Sequence, residues 1–318
     1  MKHDYQEFRG GPCVFSGRAN ESLAQSVCDY LEIPLGQVQL FEFSNENLFV
    51  QFQENIRQRD VFLVQSLTTP VNTRIMELLI MIDAAKRASA GRITAVLPYY
   101  AYGRTDKKDQ PRVPITARLL ADLISTAGAD RVLTMDLHAG QIQGFFSVPV
   151  DELTALALLR RYFEKKDLDD LVVVATDVGI SKRARDLAEK MNVPLAIIEK
   201  RRVFGQAESM NVIGDVQGKT ALTFDDEIDT AGSLMSAAAT VMKAGAKEVF
   251  SCATHGILSG PAPERILDSK ITEIVLTDTV PVPAEKRDDK ITVLSVAPLF
   301  GEAIARIHRG ESVGALFE

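Results

Sequence analysis

The chain has 318 residues, 46% hydrophobic and 25% charged, an ordinary globular composition long enough for two domains. A net charge of −7 and a pI near 5.3 argue against a nucleic-acid surface. Cys13, Cys28 and Cys252 are odd in number and lack CxxC spacing, which argues against a disulfide framework or a cysteine zinc site and for a reducing compartment. The first residues, MKHDYQEFRGG, hold no apolar signal core. The most apolar stretch, 76–85, is short and interrupted by Glu77 and Asp83. The expectation is therefore a cytoplasmic protein with no membrane or nucleic-acid partner.

Taken in order, an apolar run at 13–16 ends in Gly17 and precedes a helical pattern at 21–31, broken by Pro34 and Gly36. Residues 41–50, FEFSNENLFV, read as a strand and turn. DVFLVQ at 60–65 is dense and apolar, as in a buried parallel strand. A helix is predicted over 73–88, ended by Gly91, then a strand over 93–97 stopped by Pro98. The charged loop YYAYGRTDKKDQPR follows, then a helix over 114–127 and a strand over 131–137. Pro149 and the acids after it mark the best boundary, near residue 150. Beyond it, a helix at 153–163 precedes LVVVATD, a strand ending in Asp177. A helix at 181–191 and a strand at 194–199 come next. A strand at 220–224 runs into its own helix, and further strands fall at 248–253 and 274–277. A last helix at 299–309 and the tail GESVGALFE are expected at an interface. Repeated β–α alternation predicts an α/β fold with parallel-sheet cores.

The stretch 220–246 carries the clearest chemistry. An apolar strand leads into Asp225 and Asp226, then Asp229, Thr230, Ala231, Gly232 and Ser233, then a helix. Strand, small-residue turn and helix gather free N–H groups and the positive helix end around an anion. Two carboxylates repel a phosphate, so Asp225 and Asp226 suit vicinal hydroxyls or a metal ion. A phosphate at one end and a diol at the other describe a phosphorylated pentose. The plain alternative is that the two acids only cap the helix.

Four clusters fall at other strand ends, where open α/β sheets collect ligands. The loop 99–112 sets Arg104, Lys107, Lys108 and Arg112 beside aromatic residues, either as solvated charge or for a nucleotide. His138 follows a strand, with Asp136, Gln141 and Gln143 near it, as a metal or phosphate ligand or as a packed histidine. Asp177 is a metal or hydroxyl ligand or a helix N-cap. Glu199–Arg202, EKRR, is exposed charge or a mobile basic loop that neutralises a transferring phosphoryl group.

These motifs together resemble the ribose-phosphate pyrophosphokinases, also called phosphoribosyl pyrophosphate synthetases. The resemblance is collinear over essentially the whole chain. It includes FSGRAN at 15–20, FSNEN at 43–47, the run from Met76 to Asp109, TMDLHAGQIQGFF, DDEIDTAGS, CATHGILSGPA at 252–262 and the final GESVGALFE. It implies two tandem phosphoribosyltransferase-like, Rossmann-like domains: 1–150 on the ATP side and 151–318 on the ribose 5-phosphate side. It implies transfer of the diphosphoryl group of ATP to the 1-hydroxyl of ribose 5-phosphate, with Mg2+ as cofactor, for nucleotide biosynthesis. By the same resemblance, Asp225 and Asp226 hold the ribose hydroxyls, and Asp229, Thr230, Ala231, Gly232 and Ser233 hold the 5-phosphate. Phe43, Asn45, Asn47, Arg104, Thr105 and His138 meet ATP. His138 and Asp177 meet the metal, and Lys200 and Arg202 are catalytic. Arg57 and Ser312 fall in regulatory regions, and a homohexamer built from dimers is implied.

The match departs at several positions. Asn47 stands where the family has Glu and Thr105 where it has Gln, which loosens the expected reading of the base. Gly179-Ile180 replaces a Gly-Gly pair, so the turn after Asp177 is expected to differ or be crowded, because a β-branched residue resists φ > 0. Ala175-Thr176 replaces Ser-Pro, and Gly314 replaces Ser. These departures leave open a catalytically weak regulatory paralogue that binds the same ligands, and a phosphoribosyltransferase that consumes the same sugar.

Overall fold

The computed structural model describes residues 8, 10–201, 209–286 and 289–317. In chain order its elements are β1 (Cys13–Ser16), α1 (Glu21–Leu31), β2 (Val38–Glu42), β3 (Leu48–Phe52), β4 (Asp60–Val64), α2 (Val71–Arg87), β5 (Arg92–Leu97), α3 (Thr116–Ala127), β6 (Arg131–Met135) and β7 (Val150–Leu153). They continue with α4 (Leu156–Lys166), β8 (Leu171–Ala175), α5 (Ser181–Met191), β9 (Leu195–Arg201), β10 (Ser209–Ile213) and β11 (Thr220–Ile228). The last are α6 (Gly232–Lys243), β12 (Glu248–Gly256), α7 (Ala262–Leu267), β13 (Glu273–Thr277), β14 (Ile291–Leu294) and α8 (Ala297–Arg309). One compact unit holds the described residues up to Thr154 and those from Ser295 onward. The other runs from Ala155 to Leu294.

The first unit is built on a parallel sheet in the order β1-β4-β5-β6-β7. Every residue of β4 is buried, as its unbroken apolar run requires of a strand covered on both faces. Against the sheet, α2 buries Ile75, Leu78, Met81, Ile82 and Ala85 at helical spacing. Glu77 shares that buried face, and a buried charge is costly unless it is paired. Its carboxylate takes the Arg18 guanidinium, the Arg18 N–H at 2.7 Å and the Gln65 amide at 2.8 Å. The turn from β1 to α1 is thereby tied to α2.

Three parts of this unit differ from the sequence expectation. Residues 41–50 belong to an antiparallel hairpin, β2–β3, because residues 38, 40, 50 and 52 alternate inward onto the core. Near residue 150, where the sequence reading placed only a boundary, the chain forms a fifth parallel strand, β7, and the units divide just after it, at Thr154. The C-terminal helix, expected in a 151–318 domain, packs in the first unit instead. The reason is apolar and ionic at once. α8 buries Phe300, Ala303, Ile304 and Ile307, and Gly301 admits the ring of Tyr30, which would lie 2.4 Å from a Cβ there. Fully buried Asp60 accepts from the Arg92 guanidinium at 2.9 and 2.6 Å and meets His308 Nδ1 at 2.9 Å. Arg92 also donates to the Ile307 carbonyl at 2.9 Å.

The second unit carries a seven-stranded sheet in the order β10-β9-β8-β11-β12-β13-β14. All neighbours are parallel except β10, which returns antiparallel on β9. Val172, Val174, Ala196, Ala221, Val249 and Ile274 sit in its core. Among the described residues no helix is long and apolar enough to cross a membrane.

Asp60→Asn removes the charge that Arg92 and His308 share, and breaking a buried pair leaves its partner uncompensated. It should cost about 3 kcal/mol, read as a lower urea midpoint at unchanged slope. A wild-type midpoint would show that the pair contributes nothing.

Candidate active site

β11 pairs with β8 only as far as Phe224, opposite Ala175, but with β12 as far as Ile228. Asp225 and Asp226 therefore belong to a strand, not to the turn the sequence suggested. They do not cap α6, whose N-cap is Ala231, without a side-chain cap hydrogen bond. Thr176, just past β8, donates its hydroxyl to Asp225 Oδ2 at 2.7 Å. Asp225 Oδ1 accepts the Asp226 N–H at 2.9 Å, and Asp226 Oδ1 accepts the Glu227 N–H at 3.0 Å. Burial, and next the Asp226 carboxylate, push the Asp225 acid up to about 8. Thr176 was visible in the sequence only as a departure from Pro. Its hydroxyl gives it a place in the site that apolar patterning does not signal.

The loop after β11 turns through Ala231 in the left-handed region, φ 59°, into α6. The first N–H groups of a helix have no acceptor one turn back, so Gly232 and Ser233 present donors and the positive helix end to an anion. Asp229, Thr230, Ala231, Gly232 and Ser233 are contiguous with the acid pair on one strand end, as the sequence implied.

Asp177 follows β8, and its Oδ1 accepts the Ile180 N–H at 3.1 Å, fastening the start of α5. The crowding expected at Ile180 does not occur. It lies in the right-handed region, φ −85°, and is buried. Lys200 lies on β9, its backbone paired opposite Met210 of β10. Arg202 lies outside the described residues.

In the first unit the loop after β5 is pinned at several points. The Tyr100 hydroxyl donates to the Ala117 carbonyl and the Tyr102 hydroxyl to Asn72 Oδ1, each at 2.8 Å. The Gln141 amide donates to Asp106 at 2.6 Å. Gly103 sits against His138, where an added Cβ would come within 3.3 Å of the His138 Cβ. Arg104 and His138 are thus brought together, both exposed. The Thr105 hydroxyl donates to the Tyr102 carbonyl at 2.7 Å, so it offers a ligand only acceptor capacity. Gln143, read beside His138 in the sequence, donates instead to Glu152.

Phe43, half exposed at the hairpin tip, packs edge-on to Phe41 at 4.9 Å. Its N–H donates to the Asn47 carbonyl at 2.9 Å, and Asn45 Oδ1 accepts the Asn47 N–H at 3.3 Å. Asn45 therefore shapes the turn that presents Phe43 and Asn47. Arg57 and Ser312 are exposed in the same unit. Ser312 accepts the Gly314 N–H on its hydroxyl at 3.2 Å and Arg306 on its carbonyl at 3.1 Å. Among the described residues no three His, Cys, Asp or Glu converge into a metal cage.

The acid pair gives a pH signature. The folded-state value for Asp225 lies above its ordinary value of 3.8, so its contribution to stability is full below that value and is lost as pH rises toward 8. Asp225→Asn escapes the loss. Without ligands it should melt above the wild type by at least ~3 °C at pH 8, the yield of about 1 kcal/mol, and by much less at pH 5. An equal difference at both pH values would show that Asp225 is not held protonated.

Comparison with known proteins places this geometry. Residues 12–128 match the N-terminal domain of ribose phosphate pyrophosphokinase, and residues 201–318 match the phosphoribosyl synthetase-associated domain. The ribose-phosphate pyrophosphokinase of Clostridium acetobutylicum is 54% identical over 308 residues, covering 96% of this chain and 97% of its own length. That of Caldanaerobacter subterraneus is 55% identical over 306 residues, with the same coverage. The crystal structure of phosphoribosylpyrophosphate synthetase from Mycobacterium smegmatis superposes with a TM-score of 0.91 at 44% identity, over 95% of this chain and 100% of that one. The chain belongs to the ribose-phosphate pyrophosphokinase family.

Proposed function

We propose that this chain transfers the diphosphoryl group of ATP to the 1-hydroxyl of ribose 5-phosphate, giving phosphoribosyl pyrophosphate and AMP for nucleotide biosynthesis. Family membership supports the reaction. The structural observation that carries it is the acid pair of β11 beside the donor-rich loop 229–233. Asp225 and Asp226 take the ribose hydroxyls, and Asp229, Thr230, Ala231, Gly232 and Ser233 take the 5-phosphate. Phe43 stacks on the base, Asn45, Asn47 and Thr105 border it, and Arg104 and His138 face the triphosphate side.

In the reaction the sugar 1-oxygen bonds to the β-phosphorus, the bridge between the α- and β-phosphates breaks at that phosphorus, and AMP leaves. The hydroxyl proton goes to solvent. Lys200 and Arg202 meet the charge that develops on the transferring group. Mg2+ is held by one or two protein groups plus substrate phosphates more often than by a protein cage. A single carboxylate at Asp177 and an exposed imidazole at His138 fit that habit. When bound, the ion lowers the negative charge that the sugar hydroxyl must approach. Arg57 and the segment around Ser312 bind a phosphate-bearing regulator. The protein works in the cytoplasm as a homohexamer built from dimers.

Phosphorus NMR of the protein with ATP, Mg2+ and ribose 5-phosphate should show AMP and the diphosphorylated sugar growing in together. A spectrum in which ATP stays intact, or decays to ADP, would overturn the reaction. Lys200→Ala should cut kcat about a hundredfold or more while leaving both KM values near wild type, because its contact strengthens in the transition state. A large rise in KM at unchanged kcat would assign Lys200 to ground-state binding instead.

A further inference from the structure

The loop that receives the sugar phosphate is held from outside, and most of the hold is backbone. The N–H groups of Ile257 and Leu258 donate to the Ile228 carbonyl at 2.9 and 3.1 Å. The Ser259 N–H donates to the Asp229 carbonyl at 3.0 Å. The next carbonyl, Thr230, is taken by a side chain: Arg265 Nη1 donates to it at 2.8 Å. Three consecutive carbonyls thus face the segment 257–265. In a trans peptide the C=O and the following N–H point in opposite directions. The N–H groups of Asp229, Thr230 and Ala231 are therefore turned the other way, and successive amides turned to one side form an anion-binding concavity. Ala231 in the left-handed region continues that curve into α6.

Arg265 is well placed to hold the last of these peptides. It stands on α7 with its neighbours Ala262 and Ile266 fully buried, so its backbone is fixed although its side chain is exposed. The guanidinium also lies over Gly232, with Nη1 3.4 Å from where a Cβ would be. Any larger residue at 232 would press on it. A cation on the Thr230 carbonyl polarises the peptide and makes the Ala231 N–H a stronger donor.

We propose that Arg265 is a positioning residue for the 5-phosphate. It locks the 230–231 peptide with its N–H toward the phosphate, and so sets affinity for the phosphorylated sugar without touching it. This rests on the ribose 5-phosphate reading of loop 229–233. The test compares wild type with Arg265→Ala, Arg265→Lys and Arg265→Gln, each checked by thermal melting. Arg265→Ala should raise KM for ribose 5-phosphate about tenfold, the worth of one charge-assisted hydrogen bond. Its kcat and its KM for ATP should stay within about twofold. Lys, which keeps the charge, should recover part of the loss. If the alanine variant melts early, the glutamine variant, which keeps part of the stem but neither the charge nor the reach of the guanidinium, carries the same comparison. An unchanged KM for ribose 5-phosphate in a folded variant would overturn the inference, as would equal rises in both KM values. A wild type that makes no product from ribose 5-phosphate would overturn the underlying reading, and this one with it. Product from the wild type with an unaltered variant overturns this one alone.

Discussion

Over residues 225–228 the strand β11 has lost its neighbour β8 and keeps a ladder only with β12. That one-sided extension fixes the site of the second unit. It carries two adjacent acids beyond the covered part of the sheet while keeping their backbone paired, and it delivers the chain to α6 through the left-handed turn at Ala231. Burial at that strand end, and next the Asp226 carboxylate, push the Asp225 acid up to about 8. A cation bound there favours the ionised carboxylate, so its binding would release a proton from the acid. The charge that is costly without ligand is the charge that discriminates when ligand arrives.

Left-handed backbone occurs on these segments as well as at helix ends and turns elsewhere, such as Glu32, Asp167 and Asn192. Tyr102 at φ 61°, Asp136 at 41° and Ala231 at 59° are non-glycine residues of this kind. They lie in the loop that carries Arg104, two residues before His138, and in the turn from β11 to α6. Such conformations persist only where surrounding contacts over-determine them. Here those contacts are the Tyr102–Asn72 and Gln141–Asp106 hydrogen bonds on one side and the carbonyls of residues 228–230 on the other. Each loop is held in shape before a ligand arrives, which limits what ordering it costs binding.

Much of this was legible in the sequence because it is local. The dense apolar run at 60–65 and the run at 93–97 between Gly91 and Pro98 correspond to β4 and β5, and α5 falls on the expected 181–191. The acid pair and the small-residue turn suggested an anion-and-hydroxyl site from the residues alone, and the proposed function rests on that reading. What escaped depends on pairing between distant segments. Nothing in TFDDEI says that the strand continues through its acids, since polar residues there look like a loop until β12 is known to lie beside them. Thr176 gains its role only from Asp225, 49 positions away. The departure at Ile180 looked like strain but is not, because that residue takes helical angles and its side chain is buried.

The placement of α8 was illegible for the same reason, and it bears on how the tail relates to chemistry. Asp60 and Arg92 are the first residues of β4 and β5, so the cluster that seats His308 and Ile307 lies at the amino edge of the first sheet. The loop with Arg104 and the turn with His138 lie at the opposite, carboxyl edge. Within one chain, the tail around Ser312 is therefore joined to the loop with Arg104 through the strands and the helices packed on them. β4 is buried along its whole length and β5 from Ile93 to Leu97. Tightly packed strands of this kind move as units rather than bending.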